Sequence, residues 1–270
     1  MKRYGWLLVC CLFLSIGMLW AADEPDLHML QQKAAQSRDM EGYVGVCKYL
    51  YQTEENPELL LLYADSIHQL ATKSKKPEQL VEYYIWASEG NFIKGDFQQG
   101  YALKRKAIAL AEKVGLKFAI SQSCCDMGYY CNVDARYDSA RYYFRKGLEA
   151  GEDLSEAGEA CRTMLTNYAS SFLFEGKTDS ALVYTIRASE RSAADKDTAM
   201  LIENLNQLGT IYRRKKDLEN CIANFEQALH LCELRGNHNA VAFIYGNIAT
   251  AYCDWDRPED AISFSEKALK

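Results

Sequence analysis

Small residues return at a fixed distance along most of this chain, inside stretches of helical character. One series runs Ser88, Gly128, Ala169, Gly209, Ala249, with gaps of 40, 41, 40 and 40 residues. A second follows each member by twelve positions: Gly100, Ala140, Ala181, Cys221, Ala261. A third comes seven further on: Ala107, Gly147, Ala188, Ala228, Ala268. Three series on one period predict a stack of helical repeats rather than a single globular core.

The clearest copies are Leu205 to Leu231 and Tyr245 to Lys270. Each begins with a helix bearing a small residue and an aromatic one turn later, Gly209 with Tyr212 and Ala249 with Tyr252. A polar turn follows, Lys215 to Asp217 or Asp254 to Pro258. The second helix then carries Cys221, Phe225 and Ala228, or Ala261, Phe264 and Ala268. Small side chains let two antiparallel helices approach closely, and the aromatics fill the wider spaces beside them. Turn residues fall at equivalent places in the other copies, at Gly95-Asp96, Asp134-Ala135-Arg136 and Glu175-Gly176-Lys177. Pro258 suits the first turn of a helix, where its missing N–H costs nothing. No β-type alternation persists, so the chain reads as all-α.

These residues resemble the tetratricopeptide repeat in a long-helix version. The ordinary repeat is ~34 residues, and the extra length here amounts to roughly one more helical turn. The resemblance implies a right-handed superhelical solenoid of antiparallel helix pairs. Five copies are expected at 77–116, 117–155, 156–196, 197–236 and 237–270. The copy around Ser88 is the most divergent, with Asn91 at the aromatic position. Residues 23–76 read as an N-terminal cap of two or three amphipathic helices, the kind of atypical unit that closes a solenoid.

Charge and cysteine content narrow the picture. The net charge of −6 becomes −8 without residues 1–22, whose only charges are Lys2 and Arg3. An acidic array with no basic stripe argues against nucleic acid as a ligand of this segment. Arg213-Arg214-Lys215-Lys216 ends a helix, where cations favour the dipole. Lys2 and Arg3, the apolar run Trp6 to Trp20 and the polar sequence from Asp23 predict a secretory signal peptide at residues 1–22, with an uncleaved anchor as the alternative. The expected location is therefore the periplasm or cell envelope. Eight cysteines follow this segment without disulfide-scaffold spacing, and they read as small core hydrophobes.

No motif for catalysis, phosphate binding or a cofactor appears, and the four histidines lack metal-ligand spacing. The expectation is a binding module, not an enzyme. In the resembled family the first helices line the concave face, through residues just before the small position and one after it. That places Asp126 and Tyr129, then Thr166, Asn167 and Ser170, then Asn206, Gln207 and Thr210, then Asn247 and Thr250 as candidate peptide contacts. The amides of Asn167, Gln207 and Asn247 each offer a donor and an acceptor to an extended main chain. Arg213, one turn beyond Thr210, could meet a carboxylate.

The array is also similar to the sensory ectodomains of certain exported bacterial signalling proteins. That implies a protein or peptide ligand and a membrane tether beyond the C-terminal end. The alternative expectation is a free-standing periplasmic scaffold. The last helix, ending at Ala268-Leu269-Lys270, carries no polar cap in this sequence, so further repeats or a capping subunit are expected.

Overall fold

The computed structural model describes residues 26–53 and 56–269. The expected signal peptide at 1–22 lies outside the described residues. Thirteen α-helices are described, and every regular element among them is helical. They are α1 Leu27–Ser37, α2 Met40–Thr53, α3 Pro57–Ser74, α4 Pro77–Lys94, α5 Phe97–Val114, α6 Lys117–Val133 and α7 Tyr137–Gly151. A single 3₁₀ turn, Ser155–Ala157, precedes α8 Gly158–Phe174. The remainder are α9 Thr178–Ala194, α10 Thr198–Arg214, α11 Leu218–Leu234, α12 His238–Asp254 and α13 Pro258–Ala268.

Local chemistry sets these boundaries. The side chains of Asp96, Asp197, Asp217 and Asn237 each accept a backbone N–H in the first turn of the helix that follows. Each such cap contributes about 1 kcal/mol. Pro57, Pro77 and Pro258 open α3, α4 and α13. Within five successive hairpins one residue adopts the left-handed conformation: Gly95, Ala135, Gly176, Lys216 and Asp256, at φ 88°, 56°, 83°, 61° and 52°. Their spacing of 40, 41, 40 and 40 residues repeats that of the small residues, so the period is written in the backbone as well as in the packing.

The chain divides into two compact units. Among the described residues, the first holds 26–53, 56–127 and 145–161. Its leading core gathers Ala34, Val46, Leu50 and Leu60, with Tyr43, Tyr63 and Ile93 packed on them. Further along, α4 packs on α5. There Gly100 lies so close to the Phe92 ring that an added Cβ would stand 2.7 Å from it.

The second unit holds residues 128–144 and 162–269. Its main core joins Leu205, Leu208, Cys221, Phe225, Ala228, Cys232, Ile244, Ile248 and Ala251. The expected small-against-large contact recurs here, with Gly128 against Phe144 and Gly209 against Phe225. All eight described cysteines are free thiols, seven of them buried and Cys253 exposed.

Candidate ligand-binding face

In the second unit, α8, α10 and α12 carry polar residues that link one helix to the next. Asn247 donates from Nδ2 to Oδ1 of Asn206 at 2.7 Å, joining α12 to α10. Gln207 donates from Nε2 to the Ser170 hydroxyl at 2.6 Å, joining α10 to α8. The Gln207 carbonyl oxygen accepts from Thr185 of α9 at 3.0 Å. The Thr166 hydroxyl lies 2.9 Å from Oδ1 of Asn204, and Asn204 donates onward to Ser192 at 3.1 Å. All three members of that last chain are buried, so they rank as interior polar contacts. A partner is needed there, because an unpaired buried amide costs 1–3 kcal/mol.

Several expected contact residues thus stand together, with their hydrogen-bonding capacity divided. Asn206 and Asn247 are half-buried and spend one bond on each other. An amide has two N–H donors and an accepting oxygen, so each keeps capacity in reserve. Asn167 is half-buried, and its backbone carbonyl accepts from Asn132 at 3.0 Å while its side chain bonds to no described residue. Thr210 and Thr250 turn their hydroxyls back to the carbonyls of Asn206 and Gly246. A Cβ added to Gly246 would meet nothing within 4 Å, so open space adjoins the Asn206–Asn247 pair. Thr166 is the exception in this group, at 1% exposure. Arg213 already has a carboxylate, Asp254, at 3.7 Å.

The two earliest expected positions are placed differently. Tyr129 is half-buried and sets its ring edge-on to Tyr130. Asp126 belongs to the first unit, where it accepts from Lys104 at 3.0 Å. Lys104 also bonds Glu89, and its side chain is fully buried. Burial disfavours this ammonium, but the carboxylates of Asp126 and Glu89 outweigh that and hold its pKa above the ordinary value. Asp126 is therefore part of a buried ionic group tying α4, α5 and α6.

Sequence reasoning passed over three residues here. Asn204 and Lys104 sit at interior positions, where a polar letter carries no mark of its partner. The third, Glu203, is half-buried on α10 and forms no hydrogen bond or ion pair with any described residue. Burial, with the nearby charge of Asp197, pushes its pKa up to about 7. The spacing Glu203, Asn206, Thr210, Arg213 follows one helical stripe, which could have revealed it. The positions flanking Gly209 do not include it.

Comparison with known proteins agrees with this architecture. Residues 200–270 match the family model described as tetratricopeptide repeat. No curated protein matches the chain by sequence. Among solved structures, the apo form of RapI superposes with a TM-score of 0.70 at 11% identity, covering 97% of this chain and 75% of that one. BtubC from P. vanneervenii superposes at 0.66 with 17% identity, over 83% and 89% of the two chains. A Rap protein complexed with competence and sporulation factor gives 0.59 at 10% identity, over 98% and 76%. At these identities the likeness is one of fold.

Proposed function

We propose that this chain, a tetratricopeptide-repeat protein by fold, binds an extended peptide or protein segment along α8, α10 and α12. In the same proposal it is exported and forms the sensory part of an envelope signalling protein. The carrying observation is the half-used amide pair Asn206–Asn247 beside the open space at Gly246. Amides that spend one bond on each other are held in place, and they still offer a donor and an acceptor to a main chain. Pre-placed polar groups of this kind cut the ordering cost of binding. The Rap protein solved with competence and sporulation factor supports a ligand-binding use of such a fold. The apolar run behind Lys2 and Arg3 supports export.

The test uses a random peptide library displayed on phage and selected on the protein. Synthetic versions of the recovered peptides should bind the Asn167→Ala/Asn247→Ala variant about tenfold or more weakly, in line with two lost hydrogen bonds of about 1 kcal/mol each. The variant's helical melt should stay close to that of the parent. Unchanged affinity would place the binding surface elsewhere. Fractionation of cells producing the full chain tests the export half, and recovery only with cytosolic markers would overturn it.

A further inference from the structure

The polar cluster at the start of α10 is paired but for one member. Arg162 of α8 contacts Asp195 at 3.2 Å and Asp197 at 2.8 Å. Arg191 of α9 holds Asp195 as well, at 2.8 Å. Two guanidinium groups thus answer two aspartates, and Glu203 remains a carboxylate without a cation. On α12 the charged residues are His238 and Asp254, at its two ends. At the other end of the same stripe of α10, Arg213 faces Asp254. Ten residues separate Glu203 from Arg213, which is about 15 Å of helix. The stripe's one unanswered charge is therefore negative and sits at the Glu203 end.

A second feature lies at the same repeat position on α12, the first helix of the next repeat. Glu203 stands six residues before Gly209, and Phe243 stands six before Ala249. Phe243 is 40% exposed, so its ring offers apolar surface to solvent at that position. Helices α10 and α12 are held together by the Asn206–Asn247 bond, one turn along from these two side chains. A carboxylate lacking a cation, with an exposed aromatic ring at the matching position, fits a long basic side chain. Its charged head would meet the carboxylate, and its methylene stem would lie along apolar surface.

We propose that Glu203 and Phe243 form a subsite for a lysine or arginine of the bound peptide, with Glu203 taking the ammonium or guanidinium. The subsite rests on the reading of α8, α10 and α12 as the peptide-binding face. It supplies that face with a ligand class, a peptide with a basic residue at one fixed position. It also makes capture depend on pH in the neutral range. The free carboxyl, lifted to about 7 by burial and by Asp197, is largely protonated at pH 6 and largely ionised at pH 8. Only the ionised form attracts the cation, so affinity rises with pH across this interval, by about tenfold for a group titrating there.

The experiment selects a random dodecapeptide phage library on the protein at pH 8, and again on Glu203→Gln and on Gly246→Trp. The peptides selected on the parent should carry Lys or Arg at one position, and those selected on Glu203→Gln should not. A labelled peptide from the parent selection should bind about tenfold more weakly at pH 6 than at pH 8. Glu203→Gln and a norleucine replacement in the peptide should each flatten that dependence. Peptides blocked by Gly246→Trp yet indifferent to Glu203→Gln would overturn the subsite alone. Peptides indifferent to Gly246→Trp would overturn the binding face and the subsite with it.

Discussion

Two glycines on successive first helices have opposite surroundings, and they separate packing from binding at the scale of one methyl group. A Cβ on Gly209 would stand 2.6 Å from the buried Phe225 ring. A Cβ on Gly246 would meet nothing within 4 Å. Both substitutions to alanine gain helix propensity, roughly 0.5–1 kcal/mol. At Gly209 that gain is opposed by overpacking, which costs about 1–3 kcal/mol. Gly209→Ala should therefore lower the urea midpoint and Gly246→Ala should raise it. A destabilised Gly246→Ala would mean that the space beside Asn206 is filled in solution. The repeat period marks Gly209 as a small position and gives Gly246 no such mark. It could not show which one has a ring above it, because that depends on a partner sixteen residues away on the next helix.

At the scale of helices, the sequence announced its hairpins and concealed their polar seams. Small residues and turn letters recur because two helices must approach and the chain must reverse. The left-handed turn position was obvious where it is glycine, at Gly95 and Gly176, and hidden where Lys216 or Asp256 takes it. The cross-helix bonds were not legible, because an Asn on a solvated face and an Asn bridging two helices look alike in a string. Lys104 is the clearest case. It belongs to a helix with other exposed basic residues, Arg105 and Lys106, yet its own side chain is fully buried between Glu89 and Asp126. Removing one partner from such a group strands the others, at a cost of about 3–5 kcal/mol. Lys104→Met should show that loss in denaturant unfolding. Adding Glu89→Leu and Asp126→Leu should recover most of it, since a packed apolar cluster is about as stable as a buried ionic one. A triple variant no better than Lys104→Met would show that the charges do more than satisfy each other.

At the scale of the whole molecule, the thiols connect the packing to the proposed export. An oxidising compartment acts on the thiolate, so reactivity depends on exposure and on how much thiolate a site permits. Burial lifts the pKa of Cys47 and Cys124 to about 12 and of Cys221 and Cys232 to about 11. Cys125 is also driven well above its ordinary value by burial. Cys131 and Cys161 are buried as well, which leaves Cys253 as the one exposed thiol among the described residues. The repeat accounts for part of this: Cys221 fills the small position that Ala181 and Ala261 fill in neighbouring copies, where a sulfur serves as a small hydrophobe. Native protein treated with iodoacetamide should therefore be alkylated at Cys253 alone within residues 26–269, as peptide mass mapping would read. The other seven should react only after unfolding. Fast labelling of Cys124 or Cys125 in the native state would mean that the first unit opens at α6. A disulfide recovered from protein purified from the envelope would mean that packing does not protect these thiols there.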